Sequence, residues 1–238
     1  MRFMTCAALA AAAFVAAPAS ATFFSFASDA DHTSWTFGGT GAGITSGNDQ
    51  FDPQLLAFDD DNGATFAFTQ VEFDAAFQLS YLGSAPFVGG KSTHMYSLSG
   101  SFVFLDAATM LPMLACTFTD GLFTTVGNGG ANPTWGSTGG IQAGDDYGSV
   151  TYTWFGPADP VLGLYPGNSV GLDTLAFTLT VLNTVGGTSG VAIDPTTFLP
   201  VGNWVSEGSF SGNANFVPAP GAFALAGIAC FAGARRRR

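Results

Sequence analysis

The densest set of chemically capable residues is Asp59-Asp60-Asp61-Asn62-Gly63, three carboxylates and an amide ahead of a glycine. Such a run suits either a calcium loop or a tight turn. The EF-hand register fails: with Gly63 at the glycine position, Phe58 and Thr69 fall where the first and last carboxylate ligands belong. The turn is the preferred reading, and a calcium site shared with a second loop such as Asp145-Asp146 is the open alternative. His32 and His94 are the only histidines. Neither they nor the cysteines show the close ligand spacing of a metal centre, so no metal and no cofactor is expected, and both histidines are read as surface residues. Glycoside cleavage needs two opposed carboxylates. Glu72, between Val71 and Phe73 in an alternating run, is a solvent-face residue or a cleft acid; Glu207 is the only other glutamate. A Ser-His-Asp triad lacks the Gly-x-Ser-x-Gly elbow that would support it, and Gly38–Gly43 lacks the lysine of a phosphate loop. No catalytic residue is assigned. Trp35, Trp135, Trp154 and Trp204 could stack on sugar rings. Trp135, in a glycine-rich stretch, is the most suggestive, whereas Trp154 alternates with Tyr152 as a core residue would.

Charge narrows the partners. Five of the six basic residues are Arg2, Arg235, Arg236, Arg237 and Arg238. The chain between them holds one cation, Lys91, against 17 acids. Nucleic acid is excluded as a partner, because nothing there neutralises phosphates. An anionic membrane surface is disfavoured for the same reason. All the acids except Glu72 and Glu207 are Asp, a residue of turns rather than helices. Cys116 is the only cysteine outside the two chain ends. Its alternation with Leu114 and Phe118 marks it as a small buried hydrophobe.

Both ends read as addresses. Arg2, the apolar run Phe3–Ala17 and the small residues Ala19-Ser20-Ala21 form a secretory signal peptide, with cleavage after Ala21 and a mature start near Thr22. At the other end, Val217-Pro218-Ala219-Pro220-Gly221 precedes the uncharged run Ala222–Ala234 and the cluster Arg235-Arg236-Arg237-Arg238. Pro218 and Pro220 keep the backbone extended. A helix over the apolar run would be about 20 Å long, short for a hydrocarbon core of about 30 Å. The four arginines form a charge lock that stays on the cytoplasmic side, and they snorkel to stretch the span. This tripartite tail resembles the PEP-CTERM sorting signal, although Ala219 stands where the family motif has Glu. The resemblance covers residues 217–238 only. It implies export by the secretion machinery, transient anchoring in the inner membrane, processing by an exosortase-type transpeptidase, and an association with exopolysaccharide.

Between the ends, short alternating runs are separated by Gly, Asn, Asp, Pro and Ser. Strands are expected over Phe23–Ala27, Ser34–Phe37, Leu55–Asp59, Thr65–Val71, Phe73–Tyr81, Met95–Leu105, Met113–Thr119, Leu122–Val126, Ser149–Phe155, Thr174–Leu182 and Gly208–Phe216. A three-residue loop at Asp61-Asn62-Gly63 would set Phe58 against Phe66 and Leu56 against Phe68. A type I′ turn at Asp120-Gly121 would set Phe118 against Phe123. Gly127–Gly144 and Gly156–Gly171 read as surface loops. The expected fold is one all-β domain over residues 22–216, an antiparallel, jelly-roll-like β-sandwich, flanked by an N-terminal signal helix and a C-terminal apolar helix. The expected function is that of an exported, non-enzymatic structural or interaction protein of the cell envelope or extracellular matrix. A carbohydrate-binding module and a hydrolase with an unrecognised site are the alternatives. Deleting Arg235, Arg236, Arg237 and Arg238 together should leave the tail unprocessed and shift the protein between membrane and soluble fractions on immunoblots; unchanged processing would count against the sorting reading.

Overall fold

The computed structural model describes residues 21–27, 33–38, 43–60, 66–187 and 190–217. The signal segment with Ala19, the tail from Pro218 onward, His32 and the Asp61-Asn62-Gly63 turn lie outside them. Within them the chain is all-β. Eleven strands follow in order: β1 Ala21–Ala27, β2 Thr33–Phe37, β3 Gly43–Asp60, β4 Phe66–Pro86, β5 Lys91–Asp106, β6 Pro112–Asn128, β7 Gly139–Ala143, β8 Ser149–Trp154, β9 Gly167–Asn168, β10 Thr174–Thr184 and β11 Trp204–Asn215. Among the described residues no helix is long and apolar enough to cross a membrane.

All pairings between these strands are antiparallel, and they run β5-β4-β3-β1-β11-β10-β7-β6. Because β5 also pairs with β6 along its whole length, this circuit of hydrogen-bonded neighbours closes on itself. β1 and β2 share the same edge of β3, pairing with its second and first halves respectively, and both also pair with β11. β7 and β8 likewise divide one edge of β6.

Period-two alternation explains the register. In β4, Val71, Phe73, Ala75, Phe77 and Leu79 are all buried, while Asp74, Ala76, Gln78 and Ser80 are exposed. That five-residue run overrides the expected Phe58–Phe66 and Leu56–Phe68 pairs. Phe66 stands opposite Asp59, Phe68 opposite Ala57, and Phe68 is 64% exposed. The turn expected at Asp120-Gly121 is also replaced. Leu114, Cys116 and Phe118 are buried on even positions, Phe123 on an odd one. The switch is made by a bulge, not a hairpin: Asp120 takes φ 54°, its N–H donates to Ser99 Oγ at 3.0 Å, and the β5–β6 register slips between Leu98 and Gly100. One extra residue restores Phe123 to the interior without reversing the chain. The glycine-rich Gly127–Gly144 holds β7 and a buried Trp135 rather than a surface loop, and Leu162 and Leu164 of the second expected loop are buried as well. Elsewhere Asp serves turns as its composition implies. Asp106 Oδ1 accepts from Thr109 N (2.7 Å) and Thr109 Oγ1 (2.7 Å), and Asp194 Oδ1 from Thr196 N and Thr197 N (2.7 and 2.8 Å). Thr109 and Thr197 respectively hold these carboxyls below their ordinary value.

The interior is filled by aromatic rings from opposite walls of the circuit. Phe210 of β11 lies 5.2 Å from Phe102 and 5.5 Å from Phe104 on β5, and 5.0 Å from Phe177 on β10. Phe73 of β4 reaches Phe177 at 5.8 Å. A second cluster stacks Trp35 on Trp204 at 4.7 Å, with Trp135 edge-on at 5.5 Å. Gly47 is required there, since a Cβ would meet the Trp35 ring at 2.5 Å. Phe210→Ala should cost about 3–5 kcal/mol, read as a lower urea midpoint with an unchanged slope; a loss under about 1 kcal/mol would refute the central role of that ring.

Candidate functional site

The outer face of the sheet, not its core, carries the candidate site. Strands β3, β1, β11, β10 and β7 lie side by side, and their outward residues align in two rows. One row runs Asp59, Phe23, Asn213, Thr174; the next runs Ala57, Ser25, Ser211, Ala176, Gln142. The second row is short-chained until Gln142, which leaves a trough across five strands. Beyond β7 the chain turns tightly at Gly144–Tyr147, closed by Gly144 N→Tyr147 O (2.8 Å) and Tyr147 N→Gly144 O (2.9 Å). Asp145 takes φ 49° in this turn, a left-handed conformation that Asp tolerates better than most residues. The turn raises Asp145, Asp146 and Tyr147 as a rim. The resulting groove measures about 620 Å³, within the range of small-ligand sites.

Its chemistry is mixed. Phe23 and Tyr147 are 40% and 41% exposed and offer apolar faces. Ser25, Ser211, Thr174, Gln142 and Asn213 supply hydroxyls and amides. Asn213 Oδ1 accepts from Thr174 N and Thr174 Oγ1, both at 3.1 Å, which fixes the amide. Asp59 Oδ1 is shut off from solvent and has no hydrogen-bond partner. Gly212 lines the groove floor, and a Cβ there would point inward and strike the Tyr152 hydroxyl.

Several sequence expectations move. All four tryptophans are buried, Trp135 at 1% exposure, so none is a sugar platform; Trp135 Nε1 instead donates to Tyr96 Oη (2.8 Å), which donates to Phe198 O (2.6 Å). Glu72 is neither on the solvent face nor in the groove. It is 8% exposed, and its Oε2 has no hydrogen-bond partner. Glu72 and Glu207 stand on β4 and β11, which do not pair. The two acidic segments that a shared calcium site would need do meet at the groove, through Asp59, Asp145 and Asp146, yet among the described residues no group of three or more His, Cys, Asp and Glu is placed to hold a metal. Val217, the first sorting-motif residue, is 42% exposed just past the buried Phe216. The rest of the sorting motif, Pro218, Ala219, Pro220 and Gly221, lies outside the described residues, and so does the charge lock of Arg235, Arg236, Arg237 and Arg238. Of the expected signal-cleavage pair, Ala19 lies outside them too, and Ala21 opens β1.

His94 is buried rather than at the surface. Its Nε2 lies 2.9 Å from Asn128 O, an acceptor only, so Nε2 carries a proton and donates, and Nδ1 lies 2.7 Å from Ser84 Oγ. Ser84 Oγ also meets Tyr81 Oη at 2.6 Å, and the Tyr81 ring stacks on Phe198 at 4.4 Å. This chain of bonds clamps the far end of the β4–β5 hairpin, where Ser84 and His94 are direct cross-strand partners.

A third polar cluster lies behind the groove floor. Cys116 is buried, as its alternation implies, and burial holds its thiol well above the ordinary value, which keeps it protonated and inert. Burial does the same to Tyr152, whose hydroxyl donates to Thr174 O at 2.8 Å. Asp173 accepts from Ser169 Oγ, its Oδ1 has no partner, and burial raises its carboxyl above the ordinary 3.8.

Comparison with known proteins found no matching family model, no matching curated protein and no matching solved structure. The functional reading therefore rests on geometry and on the sequence.

A carboxyl with a raised folded pKa binds its proton more tightly when folded. Its stabilising contribution is complete below the unfolded value and is lost as pH rises through the folded value. Asp173→Asn, which keeps an acceptor for Ser169, should therefore flatten the stability profile from acid to neutral pH. Urea midpoints should match the parent near pH 3 and exceed it at pH 7; a variant less stable at both would mean that the charged carboxylate is itself stabilising.

Proposed function

We propose that the chain is an exported, non-enzymatic protein of the cell envelope whose β domain holds polysaccharide in the outer-face groove. The groove carries this reading: a trough of short side chains, flanked by exposed Phe23 and Tyr147 and lined by hydroxyls and amides, has the apolar faces and polar edges that a sugar ring needs. Its width across five strands suits a chain better than a single small molecule.

The ends supply the delivery route. Residues 1–21 act as a signal peptide cleaved after Ala21, and residues 217–238 as a PEP-CTERM-like sorting tail handled by an exosortase-type enzyme at the inner membrane. The protein is then retained in the envelope or released outside the cell, linked to matrix or exopolysaccharide. Two observations support the domain limits. Thr22 Oγ1 donates to Leu162 O at 2.6 Å, so the strand is anchored from the expected mature start. Phe216 is buried and Val217 is not, so the chain leaves the core at Val217. A jelly-roll-like sandwich is the architecture we favour within the all-β class; ring contacts between opposite walls support a flattened, two-layered interior.

The test is affinity electrophoresis of the full chain through gels cast with polysaccharides of differing composition. Retardation is expected in at least one. Phe23→Ala and the groove-filling Ser211→Trp should each weaken it on the order of tenfold, about 1.4 kcal/mol, with unchanged melting temperature. Retardation that both variants retain would move the site elsewhere, and its absence from every gel would overturn the reading.

A further inference from the structure

We propose that the exposed apolar residues around the point where the chain leaves the domain form a docking site for the chain's own uncharged run, Ala222–Ala234. The segment 160–172, between β8 and β10, contains no charged residue. Leu162 and Leu164 are buried, while Val161, Val170 and Leu172 are exposed, Leu172 at 80%. Backbone and hydroxyl bonds tie this segment to the exit. Leu162 O accepts from Thr22 Oγ1 at 2.6 Å, Thr22 stands opposite Ala214 on β11, and Asn215 O accepts from Val170 N at 2.7 Å. Val217, exposed two residues further on, completes an apolar collar. The acids that bracket the segment are engaged within the domain. Asp159 Oδ1 accepts from Val161 N at 3.0 Å and from Leu162 N at 3.3 Å, and Asp173 accepts from Ser169 Oγ.

Where the chain goes next decides the occupant. Residues 218–221 alone separate Val217 from the run, and fully extended they reach about 14 Å. A tether that short holds the run at a roughly millimolar effective concentration, so a contact made by few side chains suffices. In water an uncharged run seeks apolar surface, and the collar lies within its tether. Charge agrees. Lys91 is the one Lys or Arg among the described residues, and the exit end bears Asp60 opposite Thr22. An anionic lipid surface is repelled there, whereas Arg235, Arg236, Arg237 and Arg238, at the end of the run, are attracted. The other apolar run, Phe3–Ala17, joins at the same end but is the one expected to be cut away. Docking has a consequence that rests on the sorting reading: Pro218–Gly221 stays against the domain until a membrane takes the run, so the motif is offered for processing only there. The contact itself needs only the uncharged run and the collar.

Amide hydrogen exchange of the full chain, resolved by segment, tests the contact. Residues 160–172 should exchange at least about threefold more slowly in the parent than in Phe223→Asp with Leu225→Asp, which puts charge into the run. Adding uncharged phosphatidylcholine vesicles should draw the run into the bilayer and raise the parent's exchange to the variant's rate. A second readout is alkylation of Cys230, which lies within the run, by a maleimide. Val161→Ser with Leu172→Ser should speed it several-fold. Phe87→Ser with Val88→Ser, two exposed apolar residues at the far end of β4, should not. Equal exchange in parent and tail variant, an equal effect of both serine pairs on Cys230, or protection that grows with protein concentration would overturn the proposal. So would slower exchange on adding vesicles, which would make the bilayer the occupant of the collar. None of these outcomes touches the polysaccharide reading, which stands or falls on retardation in the gels. Docking in solution that vesicles fail to release would keep the contact and remove its link to sorting.

Discussion

Phe210 meets rings from β5 and from β10 at once, and the rest of the structure depends on that contact across the interior. A closed circuit of strands would be hollow unless side chains from facing walls met. Here phenylalanines fill the gap, each ring pair contributing about 0.5–1.5 kcal/mol beyond burial. Every strand must therefore keep its aromatic parity inward, and local features yield to that demand. The bulge at Asp120 is the clearest case, a left-handed backbone accepted so that Phe118 and Phe123 both stay inside. The displacement of Phe68 to the surface is another, forced by the longer inward run of β4.

The groove is the other side of the same alternation. When Phe24 and Phe26 of β1 point inward, Phe23 and Ser25 must point outward, and their neighbours on β3 and β11 are fixed by register. The trough exists because those neighbours are Ala57 and Ser211 rather than large residues. Its floor is held from beneath by Tyr152, whose hydroxyl lies where any side chain larger than glycine at position 212 would intrude. Core and surface chemistry are thus built from alternate residues of the same strands, which is how a rigid sheet can present a defined site without loops of great length.

Much of this is legible from alternation, and the remainder is not for definable reasons. Strand positions along β1, β8, β10 and β11 follow directly from their apolar periodicity, as does the buried Cys116. Two mismatches arise where a change of parity resembles a turn, and where two local Phe pairs compete with a longer inward run. β7 escapes the pattern because Gly139 and Gly140 give it almost no apolar period; only Ile141 and Ala143 face inward. Trp135 reads as a surface residue because its surroundings are glycine-rich, yet those glycines allow close backbone approach around it. The groove itself is not readable, since it depends on which strands lie side by side, and β1 pairs with partners far away in the chain. One signal is present: Phe23 is an aromatic on the polar parity of β1.

The place of β1 has a bearing on how the chain reaches its native state. Of the described strands, the first to be synthesised, β1, is wedged between β3 and the last, β11. Its second edge stays bare until residues near Asn215 are available, so the circuit cannot be sealed while the chain is still emerging. Pairings of such sequence separation carry a large loop-closure cost and place the protein among slowly folding topologies. In the interval, the exposed edge and its phenylalanines would be open to pairing with other chains. A route that keeps the polypeptide extended until its final strand is released would spare it that hazard, and the finished circuit then buries both edges of the strand that was exposed longest.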